Sequence, residues 1–344
     1  MYRSASRRAV LAGGTCALLA GCVRGPGGGL AIDAAPVSFE YFDPAFNAIV
    51  DDRNTPLLLG EGYHWAEGPA WDRVRGVLYF TDVPANTAYR WSAANGIEIF
   101  LRPSGGQTSS EGFREAGANG LLIDQAGKLI LCNHGERAVE SVDIETGNRQ
   151  TLAGMFEGKR LNSPNDVIEA RDGTLYFTDP PYGLEGLNAS PLKEMEANGV
   201  YRLSRDGELV RLVDGLTFPN GVALSPDGVS LFITQSDPAA PHIYRLKLDG
   251  TRRPEPWFDA SPFMGSNPGL PDGMAMSASG HLFVAGPGGV LVLDAEANCL
   301  GRIATGRATA NCAFGEDGQT LFITARNRLL AIRTKVVGLG YERA

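Results

Sequence analysis

Residue patterns that mark several common enzyme classes are missing from this 344-residue chain. It contains four His and five Cys, without an HExxH motif or a CxxC pair, which argues against a zinc protease and against a disulfide framework. No GxSxG elbow and no Walker loop occurs, so a serine hydrolase or a P-loop enzyme has little support. Basic residues are also too few for a nucleic-acid partner, because 31 Lys and Arg stand against 39 Asp and Glu and give a net charge of −8.

Glycine and proline, by contrast, are plentiful. The chain has 44 Gly and 21 Pro, and after residue 31 only residues 43–50, DPAFNAIV, show a pattern compatible with a helix. This composition is typical of many short strands that are joined by tight turns. One large all-β domain is therefore compatible with the length, since barrels and propellers often reach this size as one unit.

The N-terminus is predicted to be an export signal. Arg7 and Arg8 precede a short apolar stretch, residues 10–19, as in a twin-arginine signal. This stretch is shorter than the ~20 residues that a membrane-spanning helix needs. We therefore assign residues 1–21 to a signal peptide and expect the protein in the periplasm or cell envelope.

A lipid anchor is the favoured outcome of that export. Residues 19–22, LAGC, resemble a lipobox, in which Cys22 becomes the lipidated N-terminus. The alternative is simple cleavage near Ala20, with Cys22 as a bystander. Beyond the signal we predict a flexible tether at 22–35 and one folded domain at 36–344.

Three Cys lie in the predicted domain: Cys132, Cys299 and Cys312. Their number is odd, so at most one disulfide could form, and Cys299 and Cys312 are the nearest pair in sequence. Buried free thiols are the favoured state.

An internal repeat organises the rest of the sequence. One hairpin pattern recurs six times, with a polar residue, a short apolar strand, a Gly-containing turn and a second apolar strand. The copies are EGPAWDRVRGVLYFTDV from 67, ANGLLIDQAGKLILCNH from 118, PNDVIEARDGTLYFTDP from 164, PNGVALSPDGVSLFITQS from 219, PDGMAMSASGHLFVAGP from 271 and ANCAFGEDGQTLFITAR from 310. The polar residues that open them are Glu67, Asn119, Asn165, Asn220, Asp272 and Asn311.

These polar residues lie 39–55 residues apart, close to the ~40–50 residues of a propeller blade. The repeat predicts an all-β fold, a six-bladed β-propeller with four-stranded blades around a central metal-binding channel. The last strand, NRLLAIRTKV, needs a partner, and residues 55–63, TPLLLGEGY, would close the ring by pairing with it. Because the innermost strand of each blade lines the channel, the six polar residues would converge on one axis.

A lone Asn at the start of a strand is usually a turn residue. Six equivalent positions are different, because they bring two carboxylates and four carboxamides together without any Lys, Arg or Cys. Unpaired carboxylates near an axis would repel each other and lose hydration, at several kcal/mol per ion. One divalent cation would remove this penalty, and an all-oxygen donor set favours Ca²⁺, with Zn²⁺, Mn²⁺ and Mg²⁺ left open.

Five motifs in order resemble the SMP-30/gluconolactonase/LRE-like family, especially its exported bacterial gluconolactonase-like branch: EGPAWD, LNSPNDV, YFTDPPYG, FPNGVALSPDG and PDGMAM. The resemblance extends from about residue 39 to about residue 338 and implies a six-bladed propeller with one central divalent metal. It also implies that Glu67, Asn220 and Asp272 bind this metal, and that Asn165 binds substrate or joins the metal shell. Ser163 stands where members closest to the senescence-marker branch have a substrate-binding Arg, so that contact is made otherwise or is missing.

The resemblance implies hydrolysis of a sugar lactone, such as gluconolactone, to the aldonic acid. The metal would act as a Lewis acid on the lactone carbonyl, and Asp272 is predicted to be the general base for the attacking water. Asn119 and Asn165 are predicted to hydrogen-bond sugar hydroxyls or the developing oxyanion. His134 and Tyr182 are further substrate-binding candidates. The alternatives are a surface or loop His and a Tyr that only packs its loop.

Two other functions stay open on the sequence alone. The same fold and metal serve organophosphate or aryl-ester hydrolases, and a non-catalytic propeller could use the metal as a structural staple. The expected partner is a small-molecule lactone, with membrane attachment only through Cys22, and we expect a monomer. Residues 102–117 and 183–198 are polar top-face loops, where specificity is usually set, but their composition does not identify the lactone.

Overall fold

The computed structural model describes residues 33–106, 111–251 and 253–342. Over these residues the chain forms six antiparallel sheets that are the blades of a propeller, one separate two-stranded hairpin and three short 3₁₀ helices. The predicted all-β, six-bladed propeller is therefore confirmed. The signal peptide with Arg7 and Arg8, the candidate lipid site Cys22 and most of the tether lie outside the described residues.

The first three strands join blades that the chain builds last. They are β1 (Asp33–Ala34), β2 (Ser38–Tyr41) and β3 (Leu57–Glu61). A 3₁₀ helix, Pro44–Ala48, lies between the second and the third and falls within the helix-compatible segment of the sequence.

Blades 1 to 4 each run from the innermost strand outward. Blade 1 consists of β4 (Ala66–Asp72), β5 (Val77–Asp82), β6 (Thr87–Ser92) and β7 (Gly96–Leu101). Blade 2 consists of β8 (Ala118–Ile123), β9 (Leu129–Asn133), β10 (Ala138–Val142) and β11 (Arg149–Ala153). A hairpin of β12 (Met155–Phe156) and β13 (Lys159–Arg160) follows. Blade 3 consists of β14 (Val167–Glu169), β15 (Leu175–Asp179), β16 (Asn198–Leu203) and β17 (Leu209–Leu216). Blade 4 consists of β18 (Pro219–Leu224), β19 (Ser230–Gln235), β20 (His242–Lys247) and β21 (Glu255–Asp259). The other two 3₁₀ helices are Leu187–Ala189 and Ser261–Phe263.

The last two blades each gain strands from the start of the described chain. Blade 5 is β22 (Met274–Met276), β23 (Leu282–Gly286), β24 (Gly289–Leu293) and β25 (Cys299–Ala304), with β2 as a fifth strand. Blade 6 is β26 (Asn311–Gly315), β27 (Thr320–Ala325) and β28 (Arg328–Arg333), with β3 as its fourth strand and β1 at the edge. The predicted closure is confirmed, since Leu58 pairs with Leu330. The pairing of β2 with β25 was not predicted, and it ties the N-terminal segment to a second blade.

Apolar side chains hold neighbouring blades together. In the described part of the chain six hydrophobic clusters occur, and each one joins two adjacent blades. Between blades 5 and 6, for example, Phe283 packs edge-on against Phe314 with ring centroids 5.2 Å apart. Each fully buried Leu, Ile or Phe contributes about 1.5–3 kcal/mol of stability. The channel is thus positioned by the packing that surrounds it.

Cys132, Cys299 and Cys312 are free thiols, as favoured from the sequence, and the first and last are buried. No helix among the described residues is both long enough and apolar enough to cross a membrane.

Candidate metal and substrate site

The polar residues that open the six hairpins lie at one end of the channel. Four of them are the first or second residues of inner strands, while Asn165 and Asp272 each come two residues before the inner strand of their blade. All six are buried except Asp272, which is partly exposed. The inner strands pack side by side, β4 against both β8 and β26, so the structure brings the predicted residues to a common opening.

Threonines on the second strands of three blades hold the backbone of the polar residues at the channel opening. Thr81 Oγ1 donates to the Asn119 carbonyl oxygen at 3.0 Å, Thr178 Oγ1 to that of Asn220 at 2.6 Å, and Thr234 Oγ1 to that of Asp272 at 2.9 Å. In each case the donor belongs to the preceding blade. The backbone of one candidate site residue is therefore held by its neighbour blade, a link that the sequence pattern did not reveal.

Glycine after the polar residue lets adjacent inner strands approach closely. A Cβ at Gly68 would lie 2.3 Å from the Asn119 carbonyl oxygen, and a Cβ at Gly221 would lie 2.4 Å from that of Asp272. Asp166 occupies the equivalent place in blade 3, and its Oδ2 accepts a hydrogen bond from the Val222 N–H at 3.1 Å. Asp166, whose role the sequence left open, thus braces blade 3 against blade 4.

Three carboxylates share this end of the channel, and none has its charge balanced. Burial raises the pKa of Glu67 to about 8 and that of Asp166 to about 6. Burial also raises the pKa of Asp272 well above its usual value, and the negative charges of Glu67 and Asp166 raise it further. The groups that lower the pKa values of Glu67 and Asp272 are backbone and carboxamide N–H donors, not cations. The site therefore disfavours its own ionised state.

The donor set fits a divalent cation. Asn220 Oδ1 is buried and has no hydrogen-bond partner, so it is an oxygen donor available to a ligand. Within the described ranges no three His, Cys, Asp or Glu side chains form a metal-binding group, so the carboxamides would have to complete the coordination. Glu67, Asp272 and Asn220 together offer two negative charges and a neutral oxygen, the hard donors that suit Ca²⁺ or another hydrated divalent ion.

Asn165 and Ser163 have different surroundings. The Asn165 backbone is fixed on both sides, because its N–H donates to the Thr178 carbonyl at 2.9 Å and its carbonyl accepts from Gly120 N–H at 2.8 Å. Ser163 Oγ donates to the Pro180 carbonyl at 2.6 Å and accepts from Gly183 N–H at 2.9 Å. Ser163 therefore holds the loop that follows β15.

His134 lies beside Asn119 in the turn that follows β9. It is completely buried, so it is a loop residue but not a surface residue. Its Nε2 is 3.4 Å from Asn119 Nδ2, and its Nδ1 has no hydrogen bond, with Glu115 Oε1 3.7 Å away. Burial lowers the pKa of His134 to about 3, so the ring is neutral and Nε2 can accept from the carboxamide. Glu115 was not singled out from the sequence, and its pKa is raised by burial to about 6.

Tyr182 packs its loop and also has a buried polar group that could contact a substrate. Its ring stacks on Phe218 with centroids 5.7 Å apart, which is ordinary loop packing. Its hydroxyl is nevertheless buried without a hydrogen-bond partner. Burial raises the pKa of this hydroxyl, and the negative charge of Asp272 adds to the effect. The side chains of Ser236 and Asn220 oppose this shift, so the hydroxyl is a polar group on the blade 4 side of the candidate site.

Two top-face loops join over blades 2 and 3. An isolated β-bridge links Phe113 to Leu184, and hydrogen bonds of 2.9 Å run from Arg114 N–H to the Gly183 carbonyl and from Glu185 N–H to the Gly112 carbonyl. The sequence predicted both loops but not their pairing. Together they cover the side of the opening where His134 lies.

Comparison with known proteins gives a consistent result. A family model described as the SMP-30/Gluconolactonase/LRE-like region matches residues 65–327. A gluconolactonase of Zymomonas mobilis is 41% identical over 306 residues, which cover 86% of each chain. A pentonolactonase of Haloferax volcanii is 27% identical over 75% of this chain and 80% of its own. The solved structure of a gluconolactonase from Xanthomonas campestris superimposes with a TM-score of 0.77 at 31% identity, over 91% of this chain and 99% of the other.

Proposed function

Because the chain belongs to the SMP-30/gluconolactonase/LRE-like family, we propose that it hydrolyses a sugar lactone to the aldonic acid with the help of one divalent metal ion. The protein is a lactonase, a hydrolase of cyclic esters, like the gluconolactonase and the pentonolactonase to which it is similar. Gluconolactone or another aldonolactone is the proposed substrate.

The unbalanced charge at the channel opening is the observation that supports the metal most strongly. Burial raises the pKa values of Glu67 and Asp272, the charge of Glu67 raises that of Asp272 further, and the buried Asn220 Oδ1 lacks a partner. These three residues would hold the ion, with Asn165 completing the protein side. When bound, a divalent cation would balance the two carboxylates, polarise the lactone carbonyl and lower the pKa of a bound water. Ca²⁺ is the proposed ion because all the donors are hard oxygens.

The chain's own residues supply proton transfer and orientation. Asp272 is the carboxylate at the site that keeps partial solvent exposure, so it can receive the proton of the attacking water as general base. Glu67 Oε2 is occupied by the Gly68 N–H at 2.5 Å, which suits a fixed ligand better than a base. Asn119 and Asn165 would orient the sugar hydroxyls or the developing oxyanion.

Two residues flank this group and are proposed to contact substrate. His134 would act next to Asn119, as a neutral ring under the paired loops. Tyr182 would donate its buried hydroxyl on the blade 4 side of the site, near Ser236 and Asn220. Both groups are polar and buried, and a bound lactone would satisfy them.

We further propose that the lactonase works outside the cytoplasm. The Arg7-Arg8 pair followed by an apolar stretch supports export, and LAGC supports a lipid on Cys22. Residues 22–35 would then tether the propeller to the membrane, and the propeller would act as a monomer. Mass spectrometry of the mature N-terminus would separate a lipidated Cys22 from a simply cleaved signal.

The test is a hydrolysis assay with purified protein on a panel of aldonolactones and on one phosphotriester. We expect turnover of at least one aldonolactone above the rate in buffer, loss of that turnover in EDTA, and recovery when Ca²⁺ is added back. Hydrolysis of the phosphotriester alone would favour the organophosphatase alternative. Lactone hydrolysis that is insensitive to EDTA would reject the metal mechanism.

A further inference from the structure

Ser236 directly follows β19 and lies beside Asn220 in blade 4. Its Oγ accepts a hydrogen bond from Asn220 Nδ2 at 2.8 Å and donates one to the Pro271 carbonyl oxygen at 2.6 Å. Both distances are normal for hydrogen bonds. One hydroxyl thus joins a candidate metal ligand to the residue that precedes Asp272.

These two bonds decide which end of the Asn220 carboxamide faces the channel. A Ser hydroxyl carries a single proton, and the Pro271 carbonyl can only accept, so the proton of Ser236 is committed to it. Ser236 Oγ can then only accept from Asn220, and only the NH₂ end of a carboxamide donates. With Nδ2 held at Ser236, Oδ1 points elsewhere, and it is the buried oxygen that has no partner.

The orphaned oxygen needs a ligand. A buried acceptor without a partner is unfavourable, and a divalent cation binds a carboxamide through this oxygen. Thr234 lies on β19, and Ser236 comes two residues later, directly after the strand. Thr234 holds the backbone of Asp272, and Ser236 holds the side chain of Asn220, so blade 4 sets two ligands at once.

We propose that Ser236 is a positioning residue that orients Asn220 Oδ1 toward the metal without contacting the substrate. The proposal rests on the metal site of the proposed function. The residues in the same place in blades 1, 2, 3, 5 and 6 have no hydroxyl; they are Val83, His134, Pro180, Pro287 and Arg326. A Ser at this place is therefore a feature of blade 4, where the candidate ligand Asn220 lies.

The test measures the Ca²⁺ affinity of the metal-free protein by isothermal titration calorimetry. Loss of a group that orients a metal ligand weakens metal binding by roughly 10- to 100-fold, and we expect this of Ser236→Ala and of Ser236→Val. Ser236→Thr keeps the hydroxyl at the volume of Val and should bind Ca²⁺ like the wild type. Lactone turnover of Ser236→Ala should be low at limiting Ca²⁺ and recover at saturating Ca²⁺.

A matched control separates this role from general packing. Ser277 is buried at the other end of β22 from Asp272, and its Oγ accepts from His281 N–H at 2.9 Å. Ser277→Ala should lower the unfolding temperature and leave Ca²⁺ affinity unchanged. The proposal is overturned if Ser236→Ala only loses stability, or if Ser236→Thr binds as weakly as Ser236→Val. Wild-type protein that binds no divalent cation would reject the metal of the proposed function and this inference with it, whereas equal binding by wild type and Ser236→Ala rejects the inference alone.

Discussion

The opening of the channel and the interfaces between the blades are built from opposite kinds of residue. Each interface is an apolar cluster, such as the one around Leu330, whose side chain is 1% exposed. The opening gathers Glu67, Asp166 and Asp272, whose pKa values are all raised because burial disfavours their charge. The interfaces therefore stabilise the fold, and the opening destabilises it until a cation binds.

This difference predicts that the two regions can be damaged independently. A change at the opening should affect catalysis and metal binding while the propeller stays folded. A change at an interface should lower the free energy of unfolding while the remaining folded molecules keep their activity. A mutation that affected both equally would show that the two regions are coupled, for instance through the threonines that link each blade to the next.

Asp272→Asn should give the largest effect on activity. The variant keeps the shape of the side chain but removes the proposed base, so we expect lactone turnover to fall by about 10²- to 10⁴-fold. The metal-free variant should unfold at a higher urea concentration than metal-free wild type, because one of the mutually repelling carboxylates is gone. The measurements are turnover at saturating lactone and urea unfolding in EDTA. Undiminished turnover would show that Asp272 is not the general base.

Leu330→Ala should lower stability and leave activity unchanged, the opposite of the result expected for Asp272→Asn. This side chain fills the interface of blades 5 and 6 on the strand that closes the ring, and its truncation should lower the free energy of unfolding by about 2–5 kcal/mol. Turnover per folded molecule should not change well below the unfolding temperature. Val74→Ala is the control, because Val74 is 90% exposed and its loss should change stability by less than about 0.5 kcal/mol. Loss of turnover in fully folded Leu330→Ala would contradict the independence of the two regions.

The sequence predicted the parts of the fold that repeat. Six hairpins with a regular spacing define six blades, and the unpaired last strand identifies its partner in residues 55–63, because each of these follows from local patterns. The polar ring was found in the same way, since Asn165 is interpretable only beside five equivalent residues. The assignment of β2 to blade 5 depends on a contact between distant parts of the chain, and no local pattern carries that information.

The finer features of the site were beyond the sequence for a similar reason. The orientation of Asn220 depends on Ser236 and Pro271, which come from two different blades. The burial of His134 depends on the pairing of two loops, with Gly183 close against its ring: a Cβ there would lie 2.8 Å from His134 Cγ. The sequence did contain one indication that Ser236 is unusual. It occupies the first position after a second strand, where three other blades have Pro or Val.

The smallest predicted effect concerns the stability of the protein at different pH values. It tests whether a buried carboxylate outside the proposed metal site, that of Asp179, also destabilises the fold. Asp179 ends β15 in blade 3, and burial raises its pKa to about 7, although Asn162 N–H and the charge of Arg137 oppose the shift. Its Oδ1 is buried without a partner.

A raised pKa in the folded state means that the proton stabilises the folded protein. This contribution is complete below the unfolded pKa of about 4 and is lost as the pH rises through about 7, so the free energy of unfolding should fall over this window by up to about 1.4 kcal/mol per pH unit. Asp179→Asn cannot ionise, and its added N–H₂ group takes the place of the unpartnered oxygen. We expect the variant to be more stable than wild type near pH 8 and not near pH 4, as measured by urea unfolding at both pH values in saturating Ca²⁺. A stability difference that does not change with pH would show that Asp179 is not the titrating group, and that buried charge destabilises this propeller only at the channel opening.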